Sequence, residues 1–227
     1  SPVESSFSYE SEGLASTKIT FKLSGYFTDN SKNGLKVTSP GGVSLLEKGA
    51  PDLPIFSTSI QVPDLAEMEL EIIESEFVEL NINDIIPSKG NVTRDVNIGS
   101  LPFEKGYRYR QNSLYPAEIS FLRRPHIIRS VRGQAVVFQP FQYNPVQGVL
   151  RIYTDIVLAI KQNGLSTDNP LTRYPLKKRG IKEMENIYKN HFPNYMPIND
   201  RYTPLDENGS MLIICYAPFI EAMQPFI

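Results

Sequence analysis

The sequence is poor in the side chains that most often carry chemistry: it has one cysteine, Cys215, and two histidines, His126 and His191. A lone cysteine excludes an internal disulfide, and because many exported proteins also lack cystines it leaves the compartment open. The histidines show no metal-ligand spacing, and no Gly-rich phosphate loop occurs, so neither a metal site nor a cofactor is expected. Long apolar runs are missing as well. None approaches the roughly 20 residues of a membrane-spanning helix, so membrane insertion is not expected. Ser1-Pro2-Val3-Glu4 lacks the basic and apolar regions of a signal peptide, which reads as a cytoplasmic or an already processed chain. An excess of positive charge is also absent: the formal net charge is −2 and the basic residues are scattered. Nucleic acid is therefore not expected as a partner.

What is present is enough for one large domain, or a domain plus a fragment, in 227 residues. A hydrophobic content of 41% rules out disorder of the whole chain, and 12 Tyr with 12 Phe lean toward β-structure. Residues 1–16, rich in Ser and Glu, read as a loose arm. Polar and apolar residues then alternate over Lys18 to Leu23, a half-buried strand, with turn chemistry from Asn30 to Gly34. Residues 67–80 are a clearer strand: Met68, Leu70 and Ile72 share one face against Glu67, Glu69 and Glu71. Parity changes at Ile72-Ile73, which predicts a β-bulge. Residues 133–143 and 148–160 read as two strands of a hairpin joined by Asn144-Pro145-Val146-Gln147. In the second, Leu150, Ile152, Ile156, Leu158 and Ile160 form the buried face. No helix-period stretch precedes residue 178, so the first 160 residues are expected to be an antiparallel β-sandwich or open barrel.

Composition then changes. Residues 162–177 read as a linker, and Ile181, Met184, Ile187 and Tyr188 fall at helical spacing with Phe192-Pro193 as the stop. Residues 193–209 read as an exposed connector. Met211 to Tyr216 is a continuous apolar run, the mark of a strand buried on both faces, and Pro218 is suited to open a helix through Phe226. A strand followed by a helix is how an α/β domain begins.

Within this pattern lies a family resemblance. The stretch 129–157, reading RSVRGQAVVFQPFQYNPVQGVLRIYTDIV, resembles the propeptides of gingipains, secreted bacterial cysteine endopeptidases with Arg or Lys specificity. Glu47-Lys48-Gly49-Ala50-Pro51, Leu53-Pro54-Ile55, Pro87-Ser88-Lys89-Gly90, Pro116-Ala117-Glu118-Ile119 and Glu185-Asn186-Ile187-Tyr188-Lys189 add to it in the same order. Arg201-Tyr202-Thr203-Pro204 is similar to the junction at which the mature Arg-specific enzymes begin. The resemblance implies a β-sandwich prodomain over residues 1–201, with a short C-terminal helix, and the first β-α element of a caspase-like α/β catalytic domain over 202–227. It further implies secretion to the medium or the bacterial surface through the periplasm, with the cognate catalytic domain as partner and a role in folding and latency.

Catalysis by the chain itself is not expected. A cysteine protease needs a thiolate with a histidine base in reach, whereas Cys215 sits inside an apolar run and reads as a core residue. The resemblance places the family's catalytic His and Cys downstream. His126, between Pro125 and two isoleucines, reads as a packing or surface residue, and His191 as a partner of a helix dipole. For latency, an arginine can fill the acidic pocket of an Arg-specific enzyme through bidentate, charge-assisted contacts. Arg94, in the polar segment 87–100, is the candidate plug, and Lys89, Arg108 and Arg110 are alternates. Arg201 with Tyr202 is the expected processing junction, and Arg179, in Lys177-Lys178-Arg179, a secondary cleavage site. A competing reading is a non-inhibitory adhesion or sugar-binding module with Tyr107, Tyr109 and Tyr115 as its platform.

Overall fold

Apolar side chains at every second position favour extended backbone, because a strand alone puts such residues on one face. The computed structural model describes residues 4–172, 182–197 and 216–223. Among these run β1 (Ser6–Ser11), β2 (Ser16–Lys22), β3 (Phe27–Ser31), β4 (Gly34–Thr38), β5 (Val43–Ser44), β6 (Pro54–Gln61), β7 (Ala66–Asn81), β8 (Ser120–Leu122), β9 (His126–Ile128), β10 (Val131–Phe138), β11 (Phe141–Asn144) and β12 (Val149–Leu165). Helix α1 (Lys182–His191) follows, and later a 3-10 turn, Ala217–Phe219, leads into α2 (Ile220–Met223).

The strands form two five-stranded antiparallel sheets and a separate β3–β4 hairpin. The first sheet runs β1-β2-β12-β11, with β7 along the other side of β12; the second runs β5-β6-β10-β8, with β9 also on β10. Ile19, Phe21, Ile156, Leu158 and Ile160 of the first share one core with Phe56, Ile60, Val136 and Phe138 of the second. The ring of Phe21 lies 5.0 Å from that of Phe56 and 5.3 Å from that of Phe138, so the two layers meet through aromatic contacts. Each such buried side chain contributes about 1.5–3 kcal/mol. This is the mainly β, antiparallel architecture expected from the sequence, with a short helix after it.

The inward face of β12 is as the alternation predicts, with Leu150, Ile152, Ile156, Leu158 and Ile160 all buried. The bulge in β7 also falls where parity changes: Leu158 pairs with Ile72 and Val157 with Glu74, which leaves Ile73 as the extra residue. Six glutamates, at positions 67, 69, 71, 74, 76 and 79, line β7, and among the described strands β7 pairs with β12 alone. Its second half, from Ile72, is exposed apart from the partly covered Ser75.

Three expectations are corrected. Within the segment 1–16, expected to be a loose arm, Ser6 to Ser11 form a strand and pair with Lys22 to Thr17, because Phe7 and Tyr9 alternate with the polar residues and pack on the core. Residues 133–143 are not one strand. The ladder stops at Gln139-Pro140, where proline has no N–H to give, and the chain crosses from β10 in one sheet to β11 in the other. The linker expected over residues 162–177 begins as strand, since β12 continues to Leu165.

Helix α1 docks by Tyr188 and Phe192, which form a small buried cluster with Val131 of β10. Met184 packs against that cluster, while Ile187 is 48% exposed, so the docking stripe is 184/188/192 and leaves Ile187 on its flank. Phe192 lies where Gly133 has no side chain: a Cβ there would stand 2.2 Å from the ring. Next to that glycine, the fully buried Arg132 donates to the carbonyls of Asn169, Pro63, Ala66 and Asp168 at 2.7–3.1 Å. Of the expected strand Met211 to Tyr216, residues 211–215 lie outside the described residues and Tyr216 is the N-cap of the 3-10 turn; the junction Arg201-Tyr202, the basic site at Arg179 and the boundary between the two expected domains also lie outside the described residues.

Candidate functional site

The polar segment between β7 and β8 leaves the sandwich through a narrow neck. On the outgoing side, Ser88 N–H donates to Ala50 O at 2.8 Å and Gly49 N–H donates to Ser88 O at 2.9 Å. On the return, Gly106 N–H donates to Gly49 O at 2.7 Å. Gly49, at φ +78°, needs a left-handed backbone, and a Cβ on either glycine would approach the other's backbone to 3.0 Å. Both ends of the excursion are thus pinned to residues 49 and 50.

The tip is a turn in which Val96 N–H donates to Thr93 O at 3.2 Å, with Arg94 and Asp95 as its central pair. The hydrogen bond from Thr93, and then its own backbone N–H, hold the Asp95 carboxyl below its usual range. No ion pair joins Asp95 to Arg94 among the described residues. Asn97 caps the short helical turn that follows, its Oδ1 accepting from Gly99 N–H at 2.9 Å. Arg94 is exposed, and no hydrogen bond, ion pair or ring contact engages its guanidinium among the described residues.

The alternates differ. Lys89 Nζ donates to Ile98 O at 2.7 Å and stands 4.2 Å over the Phe103 ring, which ties the loop to itself. Arg108 Nε donates to Glu47 Oε1 at 3.0 Å, between the rings of Tyr107 and Tyr115. The Glu47 hydrogen bond raises the Arg108 pKa further, so this arginine is a fixed strut. Arg110 is exposed and unengaged among the described residues, but it sits on a short helical turn at Tyr107–Arg110, on the sandwich side of the neck. Lys105 pairs with Asp84 beside Tyr109 and steadies the same region.

The tyrosine platform does not form. Tyr109 donates to Ile85 O at 2.6 Å and Tyr115 to Glu47 Oε2 at 3.1 Å, and burial pushes both phenols well above their ordinary pKa. Tyr115 is buried and only Tyr107 faces solvent, so the three share no flat surface.

His126 and His191 lie far apart in the sequence, and the fold brings their Nε2 atoms to 3.3 Å. No local pattern announces such a pair, because one histidine opens β9 and the other closes α1. Burial, and then the neighbouring His191, hold His126 below its ordinary pKa.

Residues 9–192 match the Propeptide_C25 family. Gingipain R1 of Porphyromonas gingivalis is 39% identical over 224 residues, which covers 96% of this chain and 22% of that protein. Gingipain R2 of the same species is 39% identical over 188 residues, covering 82% of this chain and 25% of that protein. The chain therefore spans about a quarter or less of the length of these relatives. Among solved structures, the complex of the pro- and mature domains of Porphyromonas gingivalis RgpB superposes with a TM-score of 0.73 at 34% identity, covering 83% of this chain and 96% of that one. A structure concerned with the zymogenic latency of gingipain K shares the fold at 18% identity, with a TM-score of 0.61 over 70% of this chain and 93% of that one. The chain belongs to the Propeptide_C25 family.

Proposed function

We propose that this member of the Propeptide_C25 family keeps a gingipain-type cysteine endopeptidase latent, with the cognate catalytic domain as its partner, and assists the folding of that domain. The finer reading is that Arg94 enters the acidic S1 pocket of an Arg-specific enzyme as a substrate-like plug. One observation carries it: among Arg94, Lys89, Arg108 and Arg110, only Arg94 combines an unengaged guanidinium with a place at the tip of the pinned loop. The solved complex of pro- and mature domains from a 34% identical relative supports the choice of partner.

Why such a loop would inhibit and not turn over follows from its neck. Backbone bonds at residues 49, 50, 88 and 106 restrict how the peptide next to Arg94 can present its carbonyl, so pocket filling and attack geometry are separated. Preorganisation also lowers the entropy lost on binding. A covalent tether between inhibitor and enzyme raises the local concentration to roughly the millimolar range.

In this reading residues 1–201 are the latency domain and residues 202–227 begin the catalytic domain. Processing follows Arg201, so the mature enzyme starts at Tyr202, and Arg179 is a secondary cut. The assembly is exported through the periplasm to the surface or the medium.

The test is the inhibition constant of the purified chain against an Arg-specific gingipain-type enzyme. Arg94→Ala is expected to raise it at least about tenfold, or about 1.4 kcal/mol. No change with Arg94→Ala, together with a rise for Arg110→Ala, would move the plug. N-terminal sequencing of the processed parent tests the junction, with Tyr202 as the expected first residue.

A further inference from the structure

His126 and His191 are 65 positions apart in sequence, yet their Nε2 atoms stand 3.3 Å from each other. Their rings are nearly perpendicular, at 83°, with centroids 5.5 Å apart. Phe192 holds both: its ring stacks on His126 at 5.9 Å and meets His191 edge-on at 4.7 Å. Because Phe192 is buried and anchors α1, the two imidazoles are positioned before any ligand arrives.

We propose that His126 and His191 form a two-histidine site for a borderline transition-metal ion, Zn(II), Cu(II) or Ni(II), that clamps the last turn of α1 onto β9. Metal–imidazole bonds of about 2.0–2.1 Å, opened to a tetrahedral angle of about 109°, put two nitrogens about 3.3–3.4 Å apart. The observed separation is that span. Imidazole suits these three ions, whereas Mg(II) and Ca(II) take oxygen ligands.

Without metal, a hydrogen bond spans the same gap, one Nε2–H donating to the other Nε2. On binding, that proton resides at Nδ1 and both Nε2 lone pairs face the ion. His191 is exposed, which gives the ion a way in from solvent. No cluster of three or more His, Cys, Asp or Glu occurs among the described residues, so water fills the remaining positions. Two protein ligands make the site an open, moderate-affinity one.

The test is thermal unfolding of the 227-residue chain with ZnCl2, CuCl2, NiCl2 or MgCl2. At a hundredfold excess over the dissociation constant, a transition metal should raise Tm by about 5 °C or more, reversibly on adding EDTA. MgCl2 should do nothing. His191→Gln and His126→Gln should each abolish the shift, and the Cu(II) spectrum of the unsubstituted chain should show coupling to nitrogen. His191 is solvent-facing, so His191→Gln should keep the metal-free Tm within about 2 °C, which separates a lost ligand from a lost fold. No shift at millimolar metal, or a shift that survives either substitution, overturns the proposal.

Discussion

The side-chain amide of Asn194 pairs with the backbone of Gln61 as a neighbouring strand would, its Oδ1 accepting the Gln61 N–H at 2.7 Å and its Nδ2 donating to the Gln61 carbonyl at 3.0 Å. Gln61 reciprocates, its Oε1 accepting Met196 N–H at 2.8 Å. Both side chains are buried, and Asn194 also reaches Thr17 Oγ1 at 3.2 Å. The residues after α1 thus complete the hydrogen bonding at the end of β6 and join the helix to both sheets.

Removing that amide strands two buried backbone groups. Asn194→Ala should lower the unfolding free energy by about 2–3 kcal/mol in urea titrations. Asn194→Asp should be no better, because it sets an oxygen against the Gln61 carbonyl. A loss below about 0.5 kcal/mol would show that water replaces the amide without cost.

Arg132 has no exposed surface and serves four carbonyls from two loops. A lysine there has one ammonium in place of a planar fork and cannot reach all four. Arg132→Lys should cost about 2 kcal/mol and Arg132→Ala about 3–5 kcal/mol, with the loops at 63–66 and 168–169 losing amide protection first. If Arg132→Lys unfolds at the unsubstituted midpoint, the fork is not what holds these loops.

Gly133→Ala tests how α1 is seated. Its methyl group would overlap the Phe192 ring, so the helix must shift or the strand must yield, at about 1–3 kcal/mol. Hydrogen exchange should show faster opening of α1 with little change in β12. Uniform protection across both elements would contradict this.

Asp52 supplies a pH signature. Burial raises its carboxyl pKa, against a hydrogen bond with Ser44 and the charge of Lys36, and its Oδ1 is buried without a partner among the described residues. A carboxyl with a higher pKa folded than unfolded favours folding below the unfolded value of about 3.9 and loses that contribution as pH rises through the folded value. Asp52→Asn should therefore match the unsubstituted chain near pH 3 and exceed it in stability at pH 7. Equal stability at pH 7 would remove Asp52 as a source of strain.

The bulge at Ile73 and the inner face of β12 were legible because side-chain parity is a local record of which way each residue points. The break at Gln139-Pro140 was readable in principle, since proline stops a ladder, yet the apolar residues on both sides continue the alternation and hide the change of sheet. β1 was concealed by its serines, which face solvent while Phe7 and Tyr9 pack inward. No local pattern separates Arg94 from the alternates: what does so is that Glu47 engages Arg108 and Ile98 engages Lys89, contacts set by the fold of the loop and its neck. The pairing of His126 with His191, and the carbonyls around Arg132, are long-range facts for which the local sequence holds no signal.

The glutamate row of β7 sets a charge condition on any strand that would add to its open side. Glu71 and Glu79 are paired with Lys161 and Arg151 of β12, which leaves Glu67, Glu69, Glu74 and Glu76 to repel a second acidic strand brought to that open side, since like charges directly opposite disfavour such a seam. Self-association into ribbons is thereby discouraged. A lysine-rich strand would meet no such barrier.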